Sequence, residues 1–450
     1  MAVFLLGAAL AVTLPPFSLG WLAPLPLALL LRSWRGPRSA RSAFLAGVGF
    51  WGVHLFWLPQ SFTAMFGALG VAPFLPMIAA EAGFWALLVW VLGRRGPAII
   101  GGWVLLDYLR ANLGPLAFPW GDLGYALTDA PGRMLAAVGG VHLLTFTVML
   151  VAYALYRGRY LVIIPWVVLW LLPLPQVSGG EQVLLVQGAI DPLHKLRGAS
   201  AQQLYLELSR SGLTLHPDTG LVVWPETAVP ELPENVGEWI GSRSLVAGVA
   251  AFEGGYRNRV VWWRDGEIRA VYDKNKLVPF GEFFPWRPVL GWLYDYFFDA
   301  YGLGPLGDTA PGGRVEPLGP YGAYICYESV FPDISRRVVR AGARVLINVS
   351  NDAWFGSSYG GAQHFAMGRL RAVETGRWLL RAGNDGITAI IDPFGRVAAR
   401  IEPGRRDVLA GTYEMRSGRT PYVTMGEAIV FVPALLLLIV GREPRRALFF

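Results

Sequence analysis

Three short stretches in the second half of this 450-residue chain carry side chains capable of covalent chemistry. Glu226 stands in VVWPET, Lys274 in YDKNKLVPFGEFFP, and Cys326, the only cysteine, in YGAYICYESVFP. Glu226 and Cys326 follow runs that read as buried strands and Lys274 follows the second strand of a hairpin, and open α/β sheets present their chemistry at such carboxyl ends. The residue types fit one reaction class. A thiolate attacks a carbonyl, a carboxylate takes its proton, and an ammonium steadies the oxyanion while lowering the thiol pKa. Together they would perform acyl transfer through a thioester.

Each residue also has an ordinary explanation. Glu226 after Pro225 suits a helix N-terminus, Lys274 beside Asp273 suits a solvated surface, and a free cysteine usually behaves as a small buried hydrophobe. Taken together these explanations weaken, because two of the three lysines (Lys195, Lys274, Lys276) fall in one short motif. No His/Cys spacing suits zinc and no Gly-rich loop resembles a phosphate cradle, so neither metal nor cofactor is expected.

The elements that must hold these residues lie in a chain of two characters. Hydrophobic residues make up 54% and charged residues 16%, with a mean hydropathy of +0.41, whereas soluble chains carry about 25% charged residues. The deficit sits in residues 1–177. Apolar runs near 2–18, 19–32, 43–63, 69–93, 97–113, 134–156 and 159–176, with a further one near 424–440, predict membrane-spanning helices. Arginines cluster in the second, fourth and sixth connections (Arg32, Arg35, Arg38 and Arg41; Arg94 and Arg95; Arg157 and Arg159) and in the tail (Arg442, Arg445, Arg446). Cytoplasmic loops carry such an excess. Seven helices with the N-terminus inside then place 178–420 on the outer face, and 421–450 forms a closing helix and a cytoplasmic tail. The net charge of +7 forms no single basic face, so nucleic acid is not an expected partner. Glu81, Asp107, His54 and His142 fall inside spans, where bonding between helices explains them better than a transport path.

Residues 178–420 read as a layered α/β domain. Strands are expected at EQVLLVQGAI, GLVVWPETA, SLVAGVAAF, YGAYICYE, ARVLINVS and GITAIIDPFGRVAARI, and a hairpin at RNRVVWWRDGEIRAVYDK turning on Asp265-Gly266. Helices are expected near 198–213, 233–241 and 361–377. Between Lys274 and Cys326 lies RPVLGWLYDYFFDAYGLG, whose Trp292, Tyr294, Tyr296, Phe297, Phe298 and Tyr301 would be a liability in water and an asset at a bilayer interface.

With the words WPETAVP, YDKNKLVPFGEFFP, ICYESVFP, NVSNDAWFG and FPW (118–120), the whole chain resembles the apolipoprotein N-acyltransferases, a membrane-embedded branch of the nitrilase superfamily. The resemblance implies a polytopic α-helical membrane domain plus an extracytoplasmic nitrilase-like domain, an α-β-β-α sandwich, in the bacterial inner membrane. It implies Cys326 as nucleophile, Glu226 as general base and Lys274 as oxyanion stabiliser, with Glu282, Tyr327 and Glu328 in support. It implies a phospholipid acyl donor, a diacylglyceryl-cysteine apolipoprotein acceptor, a ping-pong reaction and a monomer. Phe280, Trp292, Phe297, Phe298, Trp354 and Phe355 are the candidates for lipid contact. Asp385 in RAGNDGIT departs from the family pattern, where a neutral polar residue is expected. Two other readings compete: a membrane-tethered nitrilase-type amidase, and a transporter or receptor whose outer domain only binds.

Overall fold

The computed structural model describes residues 1–36, 38–93, 95–191, 199–300 and 307–441, without the side chains of 64–66, 68, 69, 199, 297 and 300. Expectations resting on Arg94, Lys195, the Phe297 side chain, Tyr301 and the tail arginines lie outside the described residues. The chain divides into two compact units, Met1–Leu174 with Met425–Phe450, and Pro175–Thr424.

The first unit is helical. Among the described residues, two helices are long and apolar enough to cross a membrane, Phe74–Leu92 and Pro131–Tyr156. Other expected spans are shorter or interrupted. Ala2–Ala11 and Pro24–Ser33 have 10 residues each, about 15 Å of helix. The 43–63 run divides into Ser39–His54 and Leu58–Phe66, since Pro59 lacks the N–H that would continue the first helix. The 69–93 run is α-helical only from Phe74, behind Pro73, after a 3-10 turn at Gly67–Val71. Gly139 and Gly140 leave helical geometry inside the 134–156 run. The closing run is helical over Ala428–Val440.

Buried polar groups in this unit bond element to element. Arg110 Nε donates to Glu81 Oε2 at 2.6 Å and Nη2 donates to the Trp120 carbonyl at 2.7 Å. The guanidinium also covers the Trp51 ring at 4.6 Å, and His142 Nδ1 pairs with Glu427 Oε2 at 2.8 Å. The Arg110–Glu81 pair joins helices Ala98–Ala111 and Phe74–Leu92, the interhelical bond expected of isolated polar residues in apolar helices.

In the second unit two sheets pack face to face. The first has the order β11-β1-β2-β3-β4-β5, built from Asp407–Tyr413, Glu181–Gln187, Leu221–Val223, Ser244–Ala251, Arg257–Arg264 and Glu267–Asp273. The second has the order β10-β9-β8-β7-β6, built from Val397–Ile401, Thr388–Ile391, Leu379–Gly383, Val345–Ser350 and Tyr321–Ile325. β1, β2 and β3 run parallel, as do β6, β7 and β8. Such strands are covered on both faces and read as unbroken apolar runs. All six residues of β7 are buried.

Helix Ala199–Leu215 packs on β1 and β11, while Pro332–Arg340 packs on β6 and Gly360–Thr375 on β8. Between the sheets, Thr388 Oγ1 donates to Gln187 Oε1 at 2.6 Å, and Trp262 meets Tyr321 edge to face at 5.5 Å. The four layers are therefore helix, sheet, sheet, helix. Asp265 and Gly266 both hold positive φ (+52° and +84°), the turn that Asp-Gly favours between paired strands.

Candidate active site

Glu226 follows β2, Lys274 follows β5 and Cys326 follows β6, so the first sheet supplies the carboxylate and the ammonium and the second supplies the thiol. All three are buried. Lys274 Nζ donates to Glu282 Oε1 at 2.7 Å and to Glu226 Oε1 at 3.4 Å. Glu226 Oε1 also accepts from Asn258 Nδ2 at 2.6 Å, and Glu282 Oε2 accepts the Val278 N–H at 2.8 Å.

Glycines make room for this arrangement. A Cβ on Gly248 in β3 would lie 2.3 Å from the Pro225 carbonyl and 2.7 Å from Glu226 Cα. One on Gly312 would lie 2.4 Å from the Asp273 carbonyl, whose neighbour Lys274 has its own carbonyl bonded by the Gly312 N–H at 2.7 Å.

Cys326 opens a tight 3-10 turn, Cys326–Val330, directly after β6. Its φ is +48°, a left-handed conformation that costs a non-glycine residue about 1–3 kcal/mol and persists only where the surroundings enforce it. Burial and then the Glu226 carboxylate push the Cys326 thiol well above its usual range, although Lys274 pulls the other way. The ammonium acts on the thiol in the expected direction, downward, while burial and the Glu226 carboxylate act upward. Burial disfavours the charged Lys274, but Glu282 and then Glu226 outweigh it, so the ammonium holds its proton more tightly than an ordinary lysine.

Glu328 is fully buried and joins two loops. Its carboxylate accepts the Ile325 N–H at 2.8 Å beside the cysteine, and the Asn275 and Lys276 N–H groups at 2.7 and 3.1 Å beside the lysine. The Tyr272 hydroxyl also donates to it at 2.9 Å. Burial pushes Glu328 up to about 7, against these donors. Tyr327 turns its ring edge to Phe331 at 5.1 Å.

The aromatic candidates differ in placement. Helix Arg287–Ala300 exposes Trp292 (71%) but buries Phe298 (6%), which meets Phe284 edge to face at 4.9 Å. Phe298 thus packs the segment internally rather than presenting a surface. Trp354 is 43% exposed. Phe355 is half-buried, 5.6 Å from the His364 ring. Phe280 is half-buried at positive φ, +63°. Asp385, the departure from pattern, accepts the Gly404 N–H at 2.7 Å.

Sequence reasoning missed the polar cluster under Cys326: Ser350, Asp352, His364 and Arg381. A buried arginine within an apolar strand, LLRAG, was its one visible signal. Tyr256 was also missed; burial, then the Glu226 and Glu282 carboxylates, push its phenol up to about 12. The Gly-x-Ser-x-Gly match at 356–360 is no strand-to-helix elbow, because it follows the 3-10 turn Asp352–Phe355 and Ser358 Oγ donates to the Phe355 carbonyl.

Residues 243–419 match the carbon-nitrogen hydrolase family, which gives the two-sheet unit its class, a nitrilase-like α/β domain. Residues 6–154 match the apolipoprotein N-acyltransferase N-terminal domain. The chain is 33% identical to the apolipoprotein N-acyltransferase of Pseudomonas putida, over 97% of this chain and 95% of that one. It is 34% identical to that of Nitrosomonas europaea, over 98% and 96%. The chain belongs to the apolipoprotein N-acyltransferase family, and it is an acyltransferase. Among solved structures it aligns with Saccharomyces cerevisiae Nit3, a nitrilase-superfamily member, at 16% identity and a TM-score of 0.41 over 54% of this chain and 93% of that one.

Proposed function

We propose that the enzyme acylates the α-amine of an N-terminal diacylglyceryl-cysteine, taking the acyl group from a phospholipid through a thioester on Cys326. The observation that carries this reading is Lys274 Nζ held between Glu226 and Glu282, with the buried Cys326 thiol close enough to feel both Lys274 and Glu226. A thiol held above its usual range needs a base, and Glu226 supplies it.

In the first half-reaction Glu226 takes the thiol proton as Sγ bonds to the ester carbonyl carbon. Lys274 stabilises the developing oxyanion while Glu282 holds the ammonium in place. The tetrahedral adduct collapses, the C–O bond breaks, and protonated Glu226 returns its proton to the departing lysophospholipid oxygen. In the second half-reaction the acceptor amine attacks the thioester carbonyl and Glu226 takes an amine proton. The C–S bond breaks and the proton passes to Sγ, leaving an amide and free enzyme. One thiol serving both substrates makes the kinetics ping-pong.

The lipid donor fits the molecule's surface. The helical unit exposes the large apolar side chains Trp90, Leu161, Ile164 and Leu171, which suit a bilayer better than water. Trp292 and Trp354 are aromatic anchors for the bilayer interface in the catalytic unit. This reading places the protein as a multi-pass component of the bacterial inner membrane with the catalytic unit on the outer side. Intact mass of the purified enzyme after incubation with phospholipid tests it. A fatty-acyl adduct that hydroxylamine releases, that Cys326→Ala lacks and that a diacylglyceryl-peptide discharges is expected. Hydrolysis of small amides without any adduct would instead mark a tethered amidase.

A further inference from the structure

Asp352 and His364 hold Cys326 from both ends. Asp352 Oδ1 accepts the Ser350 hydroxyl at 2.7 Å and lies 3.0 Å from His364 Nδ1. Its other oxygen accepts Arg381 Nη2 at 2.6 Å. On the far side of the ring, His364 Nε2 is 3.1 Å from the Cys326 carbonyl and 2.8 Å from Ser329 Oγ. A carbonyl can only accept, so the bond to Cys326 forms in the imidazole that carries its hydrogen on Nε2. The Ser350 hydroxyl is also hydrogen-bonded to the thiol. That bond favours the charged form of the sulfur, so the hydroxyl donates to it, in competition with Asp352 Oδ1. Asp352 therefore reaches the Cys326 side chain through Ser350 and the Cys326 backbone through His364.

The bond to the carbonyl acts where the elbow is strained. Residue 326 sits at φ +48°, and the planar peptide that follows turns as one body. A donor fixed on that carbonyl holds the peptide plane, and with it the direction of the Cα–Cβ–Sγ arm toward Glu226 and Lys274. The donor is itself fixed. His364 lies on helix Gly360–Thr375, its Nδ1 edge faces Asp352 and Arg381 Nη2 (3.2 Å), and the whole group is buried. Arg381 is pinned in turn by Asn348 and by the Ile387 carbonyl. None of these side chains is assigned a chemical step in the proposed reaction.

We infer that His364, anchored by Asp352, is a positioning residue that aims the Cys326 thiol. The inference rests on Cys326 being the nucleophile.

The test follows acyl-enzyme formation by intact mass in single turnovers of the full-length enzyme with phospholipid, with melting temperatures read in parallel. His364→Leu removes the donor and is expected to slow acylation about 100-fold, the size of effect that an ångström of misplacement produces. The KM for phospholipid should stay put, because the hydrogen bonds of His364 run to Ser329, Asp352, Arg381 and the Cys326 carbonyl. His364→Gln, which retains an N–H donor, should recover the rate to within about tenfold of wild type. A merely structural role would lower the folded fraction while leaving the rate per folded enzyme alone. If folded His364→Leu acylates within about threefold of wild type, the inference is overturned. Should His364→Leu not fold, Asp352→Asn takes its place, since it keeps the imidazole and removes the charge that orients it. A wild-type rate there overturns the inference equally. Absence of the adduct in the wild-type enzyme would instead remove the thioester reading, and this inference with it.

Discussion

The Glu328 carboxylate accepts the Asn275 N–H at 2.7 Å, tying the turn that bears Cys326 to the loop that bears Lys274. Glu328 is thus a brace between loops of the two sheets. Glu328→Gln puts an amide donor among groups that are all donors, and about 1–3 kcal/mol of stability should be lost. Thermal denaturation measures that, and kcat should fall about 100-fold as the two loops drift. A folded Glu328→Ala enzyme with wild-type kcat would refute the brace.

The same carboxyl gives a pH signature. Its folded pKa is raised from an ordinary 4.5 to about 7. The folded chain therefore binds the proton more tightly than the unfolded one, and its contribution to stability is full below pH 4.5 and lost as pH climbs through about 7. Activity should move oppositely, because only the ionised carboxylate accepts every donor of the brace. An acid limb in kcat near pH 7, with the melting temperature rising as pH falls across the same window, is expected. An acid limb unchanged in Glu328→Gln would assign it elsewhere.

Lys274 sits between two carboxylates, so its removal does more than delete an oxyanion donor. Lys274→Met leaves Glu226 and Glu282 facing each other without a cation, and kcat should drop about 10²–10³-fold. Glu282→Gln, which keeps an acceptor for the ammonium, should cost about tenfold. Steady-state kinetics on both variants check the order; a larger loss for Glu282→Gln would shift the principal role to that carboxylate.

Gly248 is the test of packing behind the base. Gly248→Ala drives a methyl into the Glu226 backbone, and overpacking of this kind costs about 1–3 kcal/mol. Activity should fall further than stability, since Glu226 moves. Gly220→Ala, where a Cβ meets open space, is the matched control and should be close to neutral in both assays.

The aromatic segment separates surface from core. Trp292→Ser and Trp354→Ser should raise KM for vesicle-borne phospholipid and spare the acylation rate with a short-chain, water-soluble ester. Phe298→Ala empties a buried site against Phe284 and should instead cost about 3–5 kcal/mol of stability. Equal KM effects from all three would contradict the placement of Phe298.

The hairpin at Asp265-Gly266 was legible because its geometry is local, and β1, β3, β6 and β7 because parallel and central strands are apolar without a break. Strands β8 and β11 were not read. β11 has no meaning as a strand until it pairs with β1, more than two hundred residues earlier, and β8 carries a buried arginine that composition assigns to the surface. Helix Pro332–Arg340 did carry a local signature, proline at its start and arginines in its last turn. The membrane runs were read from hydropathy, but Pro59, Pro73 and the Gly139-Gly140 pair decided where helices break. By itself, the sequence determined which reactive residues exist, that each ends a strand, and which family the chain resembles, since residue type and order are covalent facts. Tertiary structure alone decided that Glu226 and Lys274 from one sheet meet Cys326 from the other, that burial acts on the thiol, and that His364 lies against its carbonyl. Distance and burial belong to packing, and packing joins residues that the chain keeps far apart.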